Sequence, residues 1–313
     1  MFAQANSEPE AAAPVSEGGP RNPSSSLWDT ASSGYGGWDC DHNGYLTEKE
    51  IEKALKSENL TSEQKAALET LRGRQSQLEE MHNDEYGDEN NGVSRADLTA
   101  MRDARNQDTA IMETQYQLEH ELATEPSSIG RKAAANPNKP ADLGDKIGTR
   151  DYYLERYKDF RRRNPGDKAP DYYLNYGLKY FDRFSALRPM VSNPTQKWID
   201  KTAVKLQQKM EAPNAANGAN FAAMERDPEK FKDFAYGTHP SAYLEGGLAN
   251  VPPQDLGTIP FVPDVGDLAT VDGVSQAVET GIGYGKIQGG RVIRGGARAA
   301  GSVARKLKRL VHW

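Results

Sequence analysis

One cysteine, Cys40, stands in 313 residues. That excludes an internal disulfide framework and any four-cysteine metal site. Histidine is nearly as scarce, with five scattered residues. No H-E-x-x-H pair, no G-x-S-x-G turn and no Cys–His couple occurs, so no catalytic group is nominated. Apolar residues make up only 36% of the chain, and the mean hydropathy is −0.79. Part of the chain is therefore expected to be disordered. No uncharged apolar run reaches the roughly 18 residues needed to span a bilayer, so no transmembrane segment is expected. The first residues lack both a basic n-region and an apolar h-region, which excludes a Sec signal peptide. The expectation is a soluble chain, cytoplasmic or exported by a non-classical route.

Charge is unevenly spread. The net value is −6, yet the last thirty residues contain basic side chains and no acidic one. Acidic residues gather instead around Asp39 to Glu50, DCDHNGYLTEKE. Asp39, Asp41 and Asn43 alternate, Gly44 follows, and Glu50 closes the run. A calcium ion takes about six to eight oxygens, and this spacing delivers them in order. Side-chain oxygens come from Asp39, Asp41 and Asn43, and a backbone carbonyl comes from Tyr45. Thr47 acts through a water, and Glu50 returns from the next helix with both oxygens. Gly44 stands where the backbone must turn through positive φ. Every required position is filled, and the segment resembles the calcium loop of the EF-hand superfamily. The resemblance implies a helix-loop-helix site for Ca2+ and a partner loop joined through a short β-bridge at Leu46.

Around this loop the expected elements depart from the family pattern. Gly34, Gly36 and Gly37 each cost about 1 kcal/mol in a helix, which predicts a short entering helix near Ser25 to Thr30, with Trp38 packed before the first ligand. The weaker preorganisation predicts micromolar binding. Ile51, Ala54 and Leu55 mark the exiting helix. Thr61, Ser62 and Glu63 start another, which runs to about His82 through Leu68, Leu71, Gln75 and Leu78. The partner loop lies in Asn83 to Leu98. Val93 takes the bridge position, and Asp97 takes the closing one. Tyr86 stands where an aspartate is needed, whereas counting from Asp84 makes the loop two residues too long. Asp88 and Asn90 are candidate ligands in either register. Two readings stay open here, a long-loop second site with Asp88, Asn90 and Asp97, or a degenerate loop that only packs. One helix is expected from Ser94 to Leu122, its Met101, Met112 and Leu118 forming core or a target groove.

Residues 123–150 read as a linker. Residues 151–260 read as helices punctuated by prolines, with DYYLERYKDF and DYYLNYGLKYF recurring twenty residues apart. Tyr173, Leu174, Leu178, Phe181, Phe184 and Leu187 form the apolar face of the second. The run APNAANGAN, 212–220, reads as a loop. His239, with Tyr236, Ser241, Tyr243 and Glu245 nearby, reads as a turn histidine at a helix end. GIGYGK, 281–286, lacks the spacing of a phosphate loop.

The expected fold is all-α: a disordered leader at 1–26, an EF-hand module at 27–122, the linker, a separate helical region at 151–260, and a Gly-rich, basic amphipathic tail at 261–313. Residues 286–313 suit an anionic membrane surface or an acidic protein surface. The functional expectation is a non-enzymatic calcium-binding protein, sensing or structural, with an unidentified protein target. An alternative rests on two weaker likenesses. The Ser- and Pro-rich leader resembles those of bacterial proteins exported by needle-type machines, and PDVGD at 263–267 resembles the junction before polymorphic toxin domains. That alternative is a bacterial secreted effector with a calcium-stabilised N-terminal module.

Overall fold

The structure, a computed structural model, describes residues 22–82, 91–125, 136–252 and residue 255. Most of the leader, the ligand candidates Asp88 and Asn90, and the basic tail lie outside the described residues. The described chain is predominantly helical, with one two-stranded antiparallel ribbon.

Helix α1 (Leu27–Trp38) is continuous and twice as long as its glycines led us to expect. Ser26 caps it by accepting from the Asp29 N–H. The glycine cost is offset by burial of Leu27, Trp28, Ala31, Tyr35 and Trp38 along one face, since packing outweighs intrinsic propensity in most protein helices. Gly34 has a packing role, because a Cβ there would lie 2.3 Å from the Trp38 ring.

The loop then leads into β1 (Tyr45–Leu46) and α2 (Glu48–Leu55). α3 (Ser62–Glu79) starts with a capping box between Thr61 and Gln64 and stops three residues short of His82. After the undescribed segment, β2 (Val93–Ser94) pairs with β1, Leu46 opposite Val93 and Tyr45 opposite Ser94. The single helix expected from Ser94 to Leu122 is two, α4 (Arg95–Ala104) and α5 (Gln107–Thr124). Arg105 adopts a left-handed conformation (φ 45°), and Asn106 caps α5 by accepting from the Thr109 N–H. Those two residues break the run between two apolar stripes that periodicity alone joins. Met101 and Met112 lie in the core with Leu46, Ile51, Leu71 and Val93 rather than lining an open groove.

Three residues after Thr149, at Tyr152, the chain is already inside a second, aromatic core. α6 (Asp151–Arg163) packs against a π-helical segment, Tyr172–Leu178, which continues into α7 (Lys179–Leu187). α8 (Asn193–Ala216) runs through Pro213 and most of the expected loop, and Asn217 caps α9 (Gly218–Glu225). α10 (Pro228–Gly237) and α11 (His239–Gly246) follow. Tyr152, Tyr153, Tyr157, Phe160, Tyr173 and Phe231 fill this core.

The two cores are not separate. α5 gives Met112 and Tyr116 to the first and Ile111 and Leu118 to the second. Charges seal the seam: Arg161 lies 2.7 Å from Glu119 and 3.0 Å from Glu69, and the Tyr157 hydroxyl donates to Glu119 at 2.5 Å. The stretch expected to be a linker is held where it is described. Arg156 donates to the Ala141 carbonyl at 2.8 Å, Leu143 is buried, and the Gly148 N–H donates to Gln207. Its Pro, Gly and Asn content reads as flexible, but side chains of α6 and α8 satisfy its backbone instead. No helix among the described residues is long and apolar enough to cross a membrane.

Candidate metal centre

The loop between α1 and α2 draws three carboxylates together. Oxygens of Asp39, Asp41 and Glu50 all lie within 4.8 Å of one another. None of the three pairs with a Lys or Arg among the described residues. Asp39 closes the C-terminus of α1; its Oδ2 accepts from the Gly44 N–H at 3.1 Å, while its Oδ1 is buried with no hydrogen-bond partner among the described residues. Asp41 accepts from the Asn43 backbone (3.1 Å) and amide side chain (3.0 Å). Asn43 Oδ1 accepts from the Tyr45 N–H at 2.8 Å, which shapes the turn around Gly44 (φ 90°). These short Asx contacts coil the backbone so that alternate side chains converge.

Glu50 reaches back from the first turn of α2. Its Oε2 accepts from the Thr47 N–H (3.0 Å) and hydroxyl (2.8 Å), and its Oε1 accepts from the N–H groups of Cys40 (2.8 Å) and Asp41 (3.4 Å). Burial pushes the Glu50 carboxyl up, but the bonds from Thr47, Cys40 and Asp41 outweigh it, so the group sits below the usual glutamate value and stays ionised. Thr47 is the N-cap of α2 and forms a capping box with Glu50. Tyr45 stands in β1 opposite Ser94. Cys40 and His42 are exposed, and the converging donors of Asp39, Asp41 and Glu50 are all oxygen, the donor type that hard divalent cations prefer.

A residue that sequence reasoning passed over ties this loop to its neighbour. The Tyr35 hydroxyl lies 2.6 Å from the Gly44 carbonyl and 2.7 Å from the Val93 carbonyl, one in each loop. Burial, with the nearby Asp39 carboxylate, holds that hydroxyl protonated, and the Arg95 guanidinium stacks 4.3 Å over the ring. The only signal was an aromatic among the glycines of ASSGYGGW.

At the second loop only Asp97 of the three candidates is described. It is buried at the start of α4, accepting from the His82 N–H (2.9 Å) and from the Ser94 N–H and hydroxyl (both 2.8 Å). No second carboxylate cluster forms with it among the described residues. His239 stands at a helix end, as the first residue of α11, but is buried: its Nε2 lies 2.9 Å from the Tyr172 hydroxyl, and Tyr176 and Tyr236 stack on its ring. Glu245 pairs with Lys209 instead, and Ser241 is spent on the Thr238 carbonyl.

Comparison with family models, with curated proteins and with solved structures returned no match.

Proposed function

We propose that the Asp39–Glu50 loop binds one calcium ion in the manner of an EF-hand, with Asp39, Asp41, Asn43, the Tyr45 carbonyl and Glu50 as ligands. The single observation that carries this reading is the orphaned Asp39 Oδ1, buried inside a cluster of three carboxylates. A buried carboxylate oxygen without a donor is costly, and three unpaired carboxylates at this spacing repel one another. A divalent cation offsets both costs. The ion's role is to bind and order, not to catalyse: it fastens α1 to α2 and, through Tyr35 and the β1–β2 ribbon, fixes the neighbouring loop. Met101 and Met112 are buried in the core and form no exposed apolar groove among the described residues, which favours a structural or conformational role over capture of a target by them.

Calorimetric titration of calcium into the full chain, beside Glu50→Gln, tests it. The wild type should bind with micromolar affinity and gain about 2.7 kcal/mol of stability at a hundredfold excess over Kd. Glu50→Gln should lose that event. Equal binding by the two proteins would overturn the assignment. One ion per chain assigns the whole event to this loop; two bring in Asp88, Asn90 and Asp97.

A further inference from the structure

The second core contains a cavity unrelated to the carboxylate loop. It has a volume of about 250 Å3 and lies between the π-helical segment, α7, α8 and α11. Its walls are largely aromatic, from Tyr153, Phe181, Phe184, Trp198 and Tyr243. An apolar cavity of roughly 150 Å3 is enough for benzene, so this one has room for about two fused rings. Among the described residues no Lys or Arg lines it, and the one carboxylate at its mouth, Asp200, is paired with Arg188 at 2.9 Å. A charged ligand would find no counter-charge there, so the cavity suits a neutral one.

Most polar groups around it are already engaged. The Tyr172 hydroxyl lies 2.9 Å from His239 Nε2, the Ser185 hydroxyl donates to the Phe181 carbonyl at 2.7 Å, and the Trp198 indole N–H donates to the Tyr243 carbonyl at 3.1 Å. Thr202 is turned away, its hydroxyl in the α8–α11 seam, where a Cβ on Gly246 would come within 2.2 Å of it. The Tyr243 hydroxyl differs from all of these. It has no hydrogen-bond partner among the described residues, and it is not sealed off as the Thr202 hydroxyl is. Tyr243 keeps accessible surface, yet burial pushes its hydroxyl up to about 12. Surface on the outside of the molecule would leave a phenol near its ordinary value, so the open side of this one faces the cavity. The same hydroxyl acts electrostatically on those of Tyr153, Tyr172 and Tyr176, three other residues of the cavity wall. The wall that carries Tyr172 and Tyr176 is π-helical, a geometry that occurs frequently at functional sites.

We infer that this cavity binds a neutral cyclic carbonyl compound of about two fused rings, whose carbonyl oxygen accepts a hydrogen bond from the Tyr243 hydroxyl. The phenol is held protonated and is an unspent donor. An acceptor with no N–H or O–H group of its own strands no donor against the aromatic walls. Those walls supply edge and face contacts to the rings. This inference does not depend on calcium binding and stands if Glu50→Gln leaves that untouched.

The test is a calorimetric titration of the full chain with 1-tetralone and with tetralin, the same rings without the carbonyl, beside Tyr243→Phe and Ala203→Phe. The wild type should bind 1-tetralone with a Kd on the order of 100 µM and prefer it about fivefold over tetralin. Tyr243→Phe should keep tetralin binding and lose the preference. Ala203 lines the same cavity, and a phenyl group there should weaken both ligands by about tenfold or more. The infrared carbonyl stretch of 1-tetralone bound to the wild type should lie below its value in hexane, and return toward it in Tyr243→Phe. Intermolecular NOEs from 1-tetralone to the Trp198 ring in the wild type locate the ligand even if a variant fails to fold. Failure of both probes to bind up to their solubility, binding without those NOEs, equal affinity for the two, or tighter binding of benzyltrimethylammonium overturns the inference. A full carbonyl preference in Tyr243→Phe overturns the role given to Tyr243.

Discussion

Glu50 and Asp97 occupy matching places. Each is the third residue of a helix that follows a two-residue strand, and each closes a capping box with the hydroxyl three residues before it. Each also reaches beyond its own helix, Glu50 to the N–H groups of Cys40 and Asp41, Asp97 to that of His82. They differ in their company. Glu50 is one methylene longer and joins two further carboxylates in a cluster; Asp97 joins no such cluster of three among the described residues. The capping box is thus a way to start a helix that also aims a carboxylate, and in the proposed reading only the residues supplied by the rest of the loop make it a candidate cation site.

That contrast can be broken experimentally. The largest effect should come from Glu50→Gln, which should weaken calcium binding by about two orders of magnitude, while Asp97→Asn should change the same event less than about threefold. Comparable losses in calorimetry would make the two turns functional equals. Next in size is the glycine pair of α1. Gly34→Ala should destabilise the chain by about 1–2 kcal/mol in urea melts, because its methyl meets the Trp38 ring. Gly37→Ala should stabilise it by about 0.5–1 kcal/mol, as nothing lies within 4 Å of the added methyl. Tyr35→Phe should follow at about 1 kcal/mol, with calcium affinity reduced several-fold, if the hydroxyl joins the loops. A stability loss with affinity unchanged would confine Tyr35 to packing.

The smallest effect concerns acid. Burial, against a bond from the Leu27 N–H, raises the Glu113 carboxyl above its ordinary value. Its folded form therefore holds a proton that the unfolded chain has already lost. Its contribution is greatest below the ordinary glutamate value and is lost as pH rises through the folded value. In chelator, urea melts of Glu113→Gln should show a flatter pH profile over that window than the wild type.

The carboxylate loop was legible because the chemistry proposed for it needs particular residues at particular spacings. Asp39, Asp41 and Glu50 converge as their order implies. The length of α1 was not, since helix propensity counts each glycine as a cost and cannot see the Trp38 ring that one of them seats. The aromatic helix was misread for another reason. A 3.6-residue period finds Tyr173, Leu174 and Leu178, but the wider π turns also bury Tyr172, on a position that period leaves outside. The burial of His239 was not legible because its partner Tyr172 lies 67 positions away. The residue pair that marks the aromatic cavity could not be found by any local pattern.

The two-sided packing of α5 bears on how this chain can be divided. A fragment ending near residue 122 would keep the carboxylate loop but leave Ile111 and Leu118 facing water, with Glu119 stripped of Arg161 and Tyr157. A fragment starting near residue 151 would lose that helix altogether and leave the Arg161 guanidinium without its Glu69 and Glu119 partners. Neither half contains its own complete boundary. The two cores of the described chain therefore share α5, and a perturbation of that helix reaches both.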